Sequence, residues 1–371
     1  MPTSATVGSD SRLAARRETL IRRLDERGLD GLIVTHLPNI RYLTGFTGSA
    51  ALLLVLPAET VLLTDFRYRT QAADEVGDTA RTEIVSSDIW QRLAKVTGEF
   101  AGVRTLGFEA DHVTVSDLER WHADGSAIQR RPTKGLVEEL RVRKDAGEIG
   151  AVRAAAALCL NALGATLETV RVGQTERQIA ARLESELRER GSEWHPFQTI
   201  VASGPRSALP HARTSSRVVE AGDWLLLDFG AQVDGYCADV TRTVVVGAAA
   251  TDRQRAAYGV VHEAQQVALK RLASGMSGKA ADALARDVIV DRGFGDAFGH
   301  SLGHGLGLEV HEEPRLSRTN DAALPERSVV TVEPGIYVPG WGGVRLEDDV
   351  LLTPDGAVLL TDGNNELEEL G

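Results

Sequence analysis

Two apolar segments that each carry one aspartate constrain the fold of this chain more than any other feature. Asp228 interrupts the apolar run Trp224–Phe229, and Asp239 follows the pair Asp234-Gly235. Such a run is typical of a strand inside a sheet, and an Asp-Gly pair after it predicts a hairpin. Counting back from the turn places the two carboxylates within about one residue of facing each other. Because like charges facing across a hairpin repel, a cation is expected between them.

A second pair of carboxylates repeats this arrangement near the end of the chain. Glu333 follows the apolar run Val329–Val332, Glu347 follows Val344, and the loop Pro339–Gly343 lies between them. Any one of these acids alone is typical of a solvated residue at a sheet edge. Four acids in the same paired pattern favour a cation site instead, because an unpaired buried carboxylate is strongly destabilising.

Histidines in a glycine-rich segment supply candidate nitrogen ligands. His300, His304 and His311 all lie within residues 299–312. Glycine lets the backbone approach a ligand closely, and imidazole is the commonest nitrogen ligand of divalent transition metals. Four carboxylates with one imidazole favour Mn²⁺, Co²⁺ or Zn²⁺ over Mg²⁺ and Ca²⁺. Their four negative charges balance two dications, which predicts two metals about 3.5–4 Å apart and metal-assisted hydrolysis.

The length of the chain predicts two domains, since 371 residues exceed the size at which one hydrophobic core usually stops growing. Strands alternating with helices predict a small α/β domain over residues 12–134. Residues 135–371 are predicted to form an α+β domain, with antiparallel strands around the metals and helices covering them. One continuous helix is expected from Val137 to Leu167, with its charged front on the solvated face, and another from Thr175 to Arg190.

Composition excludes several classes of function. The net charge of −12 argues against a nucleic-acid partner, which Lys and Arg would have to bind. Two cysteines without a CxxC pattern imply neither a disulfide framework nor a thiolate metal site. Residues 1–11 lack the apolar core of a secretory signal, and the run Ala51–Leu56 is too short to span a bilayer. A cytoplasmic location is therefore expected, with no membrane partner.

The motifs resemble the proline-specific metallopeptidases of the pita-bread fold, namely Xaa-Pro aminopeptidases and Xaa-Pro dipeptidases (prolidases). The resemblance is carried by the following segments, besides the His304 loop: Asn39–Gly45, Glu139–Lys144, Ile200–His211, Asp239–Thr243, Glu333–Gly335 and Arg345–Asp348. It implies a creatinase-type α/β domain over residues 12–134 and a pita-bread catalytic domain over residues 135–371. It also implies hydrolysis of the bond between an N-terminal residue and a following proline, with a metal-bridging water as the nucleophile.

The resemblance implies the metal ligands residue by residue. They would be Asp228, Asp239, His304, Glu333 and Glu347. Asp239 and Glu347 would bridge two divalent metals, for which Mn²⁺ is favoured and Co²⁺ or Zn²⁺ are alternatives. Glu333 would also act as the acid/base that takes a proton from the water and passes it to the leaving proline nitrogen.

Further residues match groups around the metals in that family. His211 and His311 would steady the substrate carbonyl and the tetrahedral intermediate. Arg345 would support this network, although it could instead pair with Asp348 or Asp349. Thr241 would orient the metal ligands.

Three residues are candidates for contact with the substrate. Arg315 and His36 resemble groups with which prolidases bind the free carboxylate of a dipeptide. His300 is the third, with loop packing as its alternative. An Xaa-Pro bond has no N–H, so a pocket shaped for the ring can exclude ordinary peptides. The sequence leaves open whether the substrate is a dipeptide or a longer peptide.

Other proteins of the pita-bread fold match these residues less completely. A methionine aminopeptidase shares the ligands but lacks the N-terminal domain, and creatinase has lost the ligands. A non-catalytic pita-bread binding protein would also have lost them, whereas all five positions are filled here. The resemblance also implies a homodimer, in which the N-terminal domain of one chain approaches the active site of the other.

Overall fold

The structure, a computed structural model, describes residues 4–122 and 127–371 of the chain. The chain divides into two compact units, Met1–Arg141 and Val142–Gly371. The boundary predicted from the sequence lies a little earlier, between residues 134 and 135. The prediction that residues 1–11 form no secretory signal falls partly outside the described residues.

The first unit is built around a six-stranded mixed sheet. Its helices and strands are α1 (Ser4–Glu26), β1 (Gly31–Val34), α2 (Leu37–Thr44), β2 (Ala51–Val55), β3 (Thr60–Asp65), α3 (Arg69–Glu75), β4 (Arg81–Val85), α4 (Ile89–Thr97), β5 (Thr105–Glu109), α5 (Val115–His122), β6 (Gln129–Thr133) and α6 (Glu138–Arg141). The strand order is β4-β3-β2-β1-β5-β6, with β1 parallel to β5 and antiparallel to β2. The predicted α/β character of this region is confirmed.

The second unit combines mostly antiparallel strands with four longer helices. Its elements are α7 (Ala146–Leu167), α8 (Glu176–Glu189), β7 (Ile200–Ser203), β8 (Asp223–Val233), β9 (Tyr236–Val246), α9 (Asp252–Arg271), α10 (Gly278–Asp291), β10 (Gly303–Gly305), β11 (Glu312–Leu316), β12 (Val329–Val332), β13 (Gly335–Val338), β14 (Gly342–Arg345), β15 (Asp348–Thr353), β16 (Gly356–Leu359) and β17 (Glu369–Leu370). Its sheets run β17-β9-β8-β7 and β11-β10-β12-β15-β16, beside the hairpin β13-β14. The predicted α+β arrangement is confirmed.

The continuous helix predicted from Val137 to Leu167 is wrong, because α6 ends at Arg141 and α7 begins afresh at Ala146. Asp145 stops the chain from continuing as one helix. Its carboxylate accepts hydrogen bonds from the first turn of α7, and the Glu148 side chain accepts one from the Asp145 N–H. This reciprocal cap satisfies donors that a helix start leaves unpaired.

The charged front of that segment is only partly the solvated face that the sequence predicts: Glu139 and Arg143 are exposed, but three other charged side chains are buried. Lys144 is buried, and its Nζ donates to Glu312 Oε2 at 2.9 Å. Arg141 and Glu148 are buried as well. For Arg141, Lys144 and Glu148, charge alone wrongly predicts exposure to solvent. Each of these side chains can be buried because it has a polar partner inside the protein.

Helix α7 is long and apolar enough to cross a membrane by length and composition alone. In this structure it packs against the β8–β9 hairpin and α8. Its buried residues include Ala155, Cys159, Ala162 and Leu163. The helix therefore contributes to the core of the second unit.

Alternation along β8 and β9 places their apolar side chains on the face covered by α7 and α8. That core contains Leu225, Leu227, Phe229, Ala231, Ala238, Val240, Val244 and Val246. Successive strand residues point to opposite faces. Asp228, Asp239 and Thr241 therefore share the face turned away from these helices.

The same rule positions the second pair of acids. A core beneath α9 and α10 contains Val330, Val332, Val344 and Leu346. Thr331, Arg345 and Glu347 alternate with these residues and so point away from that core. Two apolar cores thus leave the polar residues of both strand pairs on their uncovered faces.

Candidate active site

The hairpin β8–β9 places its two aspartates diagonally across the ladder. Asp228 pairs with Thr241, and Asp239 pairs with Gly230, so the carboxylates lie on one face two positions apart. The predicted turn is present at Asp234-Gly235, where both residues have positive φ values of 49° and 77°. These values suit the two-residue turn that matches strand twist.

Glu333 and Glu347 lie between two antiparallel strand pairs, β12–β15 and β13–β14. The second pair continues the register of the first. Val332 pairs with Asp348 before the interruption, and Gly335 pairs with Arg345 after it. Both pairs are centred on residue 340, which is also the midpoint between Glu333 and Glu347. Glu347 is joined to β9 by its N–H, which donates to the Thr241 carbonyl at 3.1 Å. Its carboxylate accepts from Thr241 Oγ1 at 2.6 Å.

His304 is fixed by the narrow space around β10. A Cβ on Gly303 would lie 2.0 Å from the Thr331 carbonyl oxygen, and one on Gly305 would lie 2.2 Å from the Glu313 carbonyl oxygen. Only glycine allows these close approaches. The His304 Nδ1 lies 3.0 Å from the Gly305 carbonyl oxygen. Because a carbonyl can only accept, Nδ1 carries the proton and Nε2 presents a lone pair.

These side chains line one cavity of about 450 Å³. Ten of the predicted site residues are among its lining: His211, Asp228, Asp239, His300, His304, His311, Arg315, Glu333, Arg345 and Glu347. His36 belongs to the first unit, where its ring stacks on His112. The structure thus brings the ten together, and the role of each one stays a prediction.

The acids in the cavity repel one another strongly. Burial raises the pKa of Asp239 well above its ordinary value, and repulsion by Glu347 and Asp228 adds to this effect. Burial and repulsion by Glu333 and Asp228 likewise raise the pKa of Glu347. Burial raises the pKa of Glu333 to about 8. Such a cluster is poorly compatible with full ionisation unless cations neutralise it.

The donor set fits divalent metal ions. Asp239, His304 and Glu347 offer ligand atoms that all lie within 4.8 Å of one another. His304 Nε2 is also 3.4 Å from Glu333 Oε1. Asp239 Oδ1 is buried and accepts no hydrogen bond in the described part of the chain. An unsatisfied carboxylate oxygen beside an imidazole lone pair is what a metal ligand set requires.

Arg345 neutralises Asp228, the fourth acid of the cavity. Its Nη2 donates to Asp228 Oδ2 at 2.5 Å, and its Nε donates to Thr241 Oγ1 at 3.1 Å. The alternative pairing of Arg345 with Asp348 or Asp349 is wrong. Asp348 instead accepts from Arg242 Nη2 at 2.7 Å.

Tyr337 was missed by the sequence reasoning. Its hydroxyl accepts from Arg345 Nη1 at 2.8 Å and lies 2.9 Å from His300 Nε2. A Cβ on Gly335 would lie only 2.6 Å from this hydroxyl, so glycine leaves the space that Tyr337 needs. The signal was available, since Tyr337 follows Gly335 by two residues in strand β13 and so lies on the same face.

Asp349 was also missed. Its Oδ2 accepts from the Asp239 N–H at 3.0 Å, which fixes the backbone of a predicted metal ligand. Asp349 is itself fully buried. In the sequence Asp349 is one more acid after Glu347 and Asp348. Its contact with Asp239 depends on strand β15 lying beside β9, which the sequence does not show.

The outer histidines surround the acids. The His311 ring lies 4.3 Å from the His304 ring, edge to face. Burial lowers the pKa of His311, and the nearby Arg315 charge lowers it further. His300 Nδ1 lies 2.8 Å from the Ser301 carbonyl oxygen. With Tyr337 at its other nitrogen, His300 is held on both sides, which also suits its alternative role in loop packing.

Comparison with known proteins places this geometry in a family. Residues 150–354 match metallopeptidase family M24, and residues 16–143 match the Creatinase/Prolidase N-terminal domain. The chain is 35% identical over 352 residues to an Xaa-Pro dipeptidase of Pyrococcus furiosus, covering 95% of this chain and 99% of that protein.

Two solved structures share both domains. An Xaa-Pro dipeptidase from Bacillus anthracis has 40% identity and a TM-score of 0.93, over 96% of this chain and 100% of that one. An X-Pro aminopeptidase from Thermotoga maritima has 39% identity and a TM-score of 0.88, over 95% and 99%. These findings confirm the family and the fold expected from the motifs. The chain belongs to metallopeptidase family M24, with a creatinase-type N-terminal domain before its catalytic domain.

Proposed function

We propose that this protein is a dinuclear metallo-exopeptidase that hydrolyses the bond between an N-terminal residue and a following proline. The observation that carries the proposal is the meeting of four carboxylates and one imidazole in a single cavity. The names of the related Xaa-Pro dipeptidases and X-Pro aminopeptidase support the proline preference.

Five residues would hold two divalent metals, with Mn²⁺ favoured and Co²⁺ or Zn²⁺ as alternatives. They are Asp228, Asp239, His304, Glu333 and Glu347. Bound metals would polarise the scissile carbonyl and make a water nucleophilic near neutral pH. The His304 tautomer and the Thr241 bond to Glu347 orient two of these ligands in advance.

Glu333 is the best-placed group to move the proton. Its carboxylate borders the cavity beside His304, and burial raises its pKa to about 8. A carboxylate in such an environment can accept a proton from the attacking water and deliver it to the proline nitrogen. His211 and His311, which also line the cavity, would contact the substrate carbonyl.

The cavity wall offers apolar surface for a proline ring. Phe197, Ile200 and Val310 line it together with the polar residues. An ordinary peptide would bury its N–H against this surface without an acceptor, whereas a bond to proline has no N–H to bury. This difference would favour Xaa-Pro substrates.

The activity test uses protein reconstituted with Mn²⁺. We expect cleavage of Ala-Pro and no measurable cleavage of Ala-Ala under the same conditions. Equal hydrolysis of both dipeptides would contradict the proposed specificity for proline. If the protein hydrolyses no Xaa-Pro peptide with Mn²⁺, Co²⁺ or Zn²⁺, the proposed peptidase activity is contradicted.

A groove beside the cavity favours substrates longer than a dipeptide. It has a volume of about 700 Å³ and shares Pro210, His211 and Arg213 with the cavity lining. Arg177 and Arg206 also line it. Arg177 and Arg213 make no ion pair within residues 4–122 and 127–371, so both can bind a peptide carboxylate. Arg315 and His36 stay the predicted contacts for the carboxylate of a dipeptide.

Peptide length can be tested with a matched pair of variants. Arg177 lines the groove but not the cavity, and Arg318 is an exposed arginine that lines neither. We expect Arg177→Gln to raise KM for Ala-Pro-Ala by about threefold to fivefold, the range for an exposed charge pair, with Ala-Pro unchanged. Arg318→Gln should change neither. Failure of the wild type to cleave Ala-Pro-Ala would make the enzyme a strict dipeptidase.

Two further expectations belong to this proposal. The protein would act in the cytoplasm, and it would form a homodimer. Sedimentation equilibrium of the purified chain tests the second expectation, and a monomer at micromolar concentration would contradict it.

A further inference from the structure

Helix α10 carries a buried ion pair that the proposed function does not use. Asp282 and Arg286 lie one helical turn apart, and Asp282 is completely buried. Nε and Nη2 of Arg286 donate to Oδ2 and Oδ1 of Asp282, at 2.6 and 2.9 Å. Both oxygens of the carboxylate therefore hold the guanidinium in one orientation.

The guanidinium also donates to the segment that precedes β10. Its Nη1 donates to the Phe298 carbonyl at 2.9 Å, and its Nη2 donates to the His300 carbonyl at 2.7 Å. Asp282 Oδ1 accepts in turn from the Leu302 N–H at 3.0 Å. One ion pair thus contacts three alternate residues of the segment 298–302.

This segment has no regular secondary structure, so its backbone groups need partners from elsewhere. Buried C=O and N–H groups without a partner are destabilising. Ring contacts add to the hold of Arg286. Its Cζ lies 4.2 Å from the centre of the Phe298 ring, and that ring meets the His300 ring edge to face at 5.0 Å. Asp282 and Arg286 therefore do for this segment what a neighbouring strand does for β10.

The segment held in this way reaches two residues of the candidate active site. His300 lines the cavity, and its Nε2 lies 2.9 Å from the Tyr337 hydroxyl. The Leu302 carbonyl accepts from the Glu333 N–H at 2.8 Å. A shift of the segment would therefore move His300 relative to Tyr337, and would also disturb the backbone of Glu333.

We propose that Asp282 and Arg286 are positioning residues for the peptidase reaction, and that they act by fixing the segment 298–302. Neither side chain is part of the cavity lining, so both act through His300 and Glu333. A misplacement of about 1 Å at a reacting site can lower a rate about 10²-fold. The effect on the rate rests on the proposed function, whereas the effect on the position of His300 does not.

Arg286→Lys tests the proposal, because it keeps a charge beside buried Asp282 but replaces a planar fork of donors with one ammonium. A single ammonium cannot reach the carboxylate and both carbonyls at once. We expect kcat/KM for Ala-Pro to fall about tenfold to hundredfold at saturating Mn²⁺, with bound Mn²⁺ unchanged. Arg292→Lys is the matched control, since Arg292 at the end of the same helix pairs with exposed Glu263. This variant should behave as the wild type.

A second readout does not depend on activity. In metal-free protein labelled with ¹⁵N-histidine, the His300 side-chain signals are identified by their loss in His300→Gln. We expect these signals to shift in Arg286→Lys and to stay in place in Arg292→Lys, because only the first change alters the contact with Tyr337. If the wild type cleaves no Xaa-Pro peptide, the proposed function fails, but unchanged His300 signals in Arg286→Lys still overturn this proposal.

Two further results overturn it. One is an Arg286→Lys protein with the kcat/KM and the His300 signals of the wild type. The other is a lower Tm with both of these quantities unchanged, which would show that the ion pair only stabilises the fold. If Arg286→Lys does not fold, Asp282→Asn replaces it in both measurements. The amide keeps an acceptor for the Leu302 N–H but cannot hold the guanidinium through two oxygens, so a smaller change in the same direction is expected.

Discussion

His304 Nε2 faces Glu333 Oε1 at 3.4 Å, while its Nδ1 is held by the Gly305 carbonyl. Burial lowers the pKa of His304 to about 3 and raises that of Glu333 to about 8. Before metal binds, the imidazole is therefore neutral near pH 7 and Glu333 keeps a proton. The nitrogen is ready to bind a metal, but the carboxylate must first lose that proton.

Metal loading should therefore release protons. A carboxyl group with a raised pKa is protonated below that pKa, so the metal competes with a proton at pH values below about 8. We expect weaker Mn²⁺ binding and greater proton release at pH 6.5 than at pH 9. Calorimetric titration in buffers of different ionisation enthalpy measures both quantities. Equal affinity at the two pH values, without proton release at pH 6.5, would show that the acids are already ionised.

Glu333→Gln should abolish most hydrolysis while leaving much of the metal bound. The amide keeps the shape of the side chain but cannot accept the proton from water. We expect kcat to fall by about 10²–10⁴-fold, the usual contribution of an acid/base. The measurement is kcat for Ala-Pro, with metal content determined on the same sample. A variant with normal kcat would exclude Glu333 as the proton carrier.

Arg345→Met should destabilise the metal-free protein strongly. The change leaves buried Asp228 without its partner, and breaking such a pair costs about 3–5 kcal/mol. Mn²⁺ bound beside Asp228 should recover part of the loss. Tyr337→Phe is the matched control, since it keeps the ion pair and removes hydroxyl hydrogen bonds worth about 1 kcal/mol each. Denaturant unfolding with and without Mn²⁺ measures both, and equal effects of the two changes would refute this account of Asp228.

Gly303→Ala should displace β10 and with it His304. The added Cβ would lie 2.0 Å from a backbone oxygen of Thr331, which cannot move freely. Gly299→Ala in the same loop is the control, because its Cβ would have nothing within 4 Å. We expect the first variant to lose metal binding and several degrees of Tm, and the second to resemble the wild type. Normal metal affinity in Gly303→Ala would show that the close approach is not needed.

Most of what the sequence predicted correctly about the second unit came from the alternation of apolar and polar residues. It identified the strands, the two pairs of acids and the turn at Asp234-Gly235, because strand periodicity decides which face a residue occupies. It could not reveal the partners across the cavity. Arg345 and Asp228 are 117 residues apart, and their pairing depends on how the two strand pairs meet.

Local charge was a poorer guide than alternation. The segment around Lys144 was expected to be solvated, yet Lys144 pairs with buried Glu312 from β11. The helix break before Ala146 followed from a cap that Asp145 and Glu148 form together. Asp145 and Glu148 are both visible in the sequence. The residues around them are compatible with a helix, however, and this favoured the prediction of one continuous helix.

The central claim is that the four acids share one cavity because metal ions neutralise them. Anomalous scattering at the manganese edge, from crystals of active, Mn²⁺-reconstituted protein, tests it most directly. The account predicts two peaks in the cavity, each in contact with the carboxylates of Asp239 and Glu347. Fully active protein with no peak among these residues would contradict it.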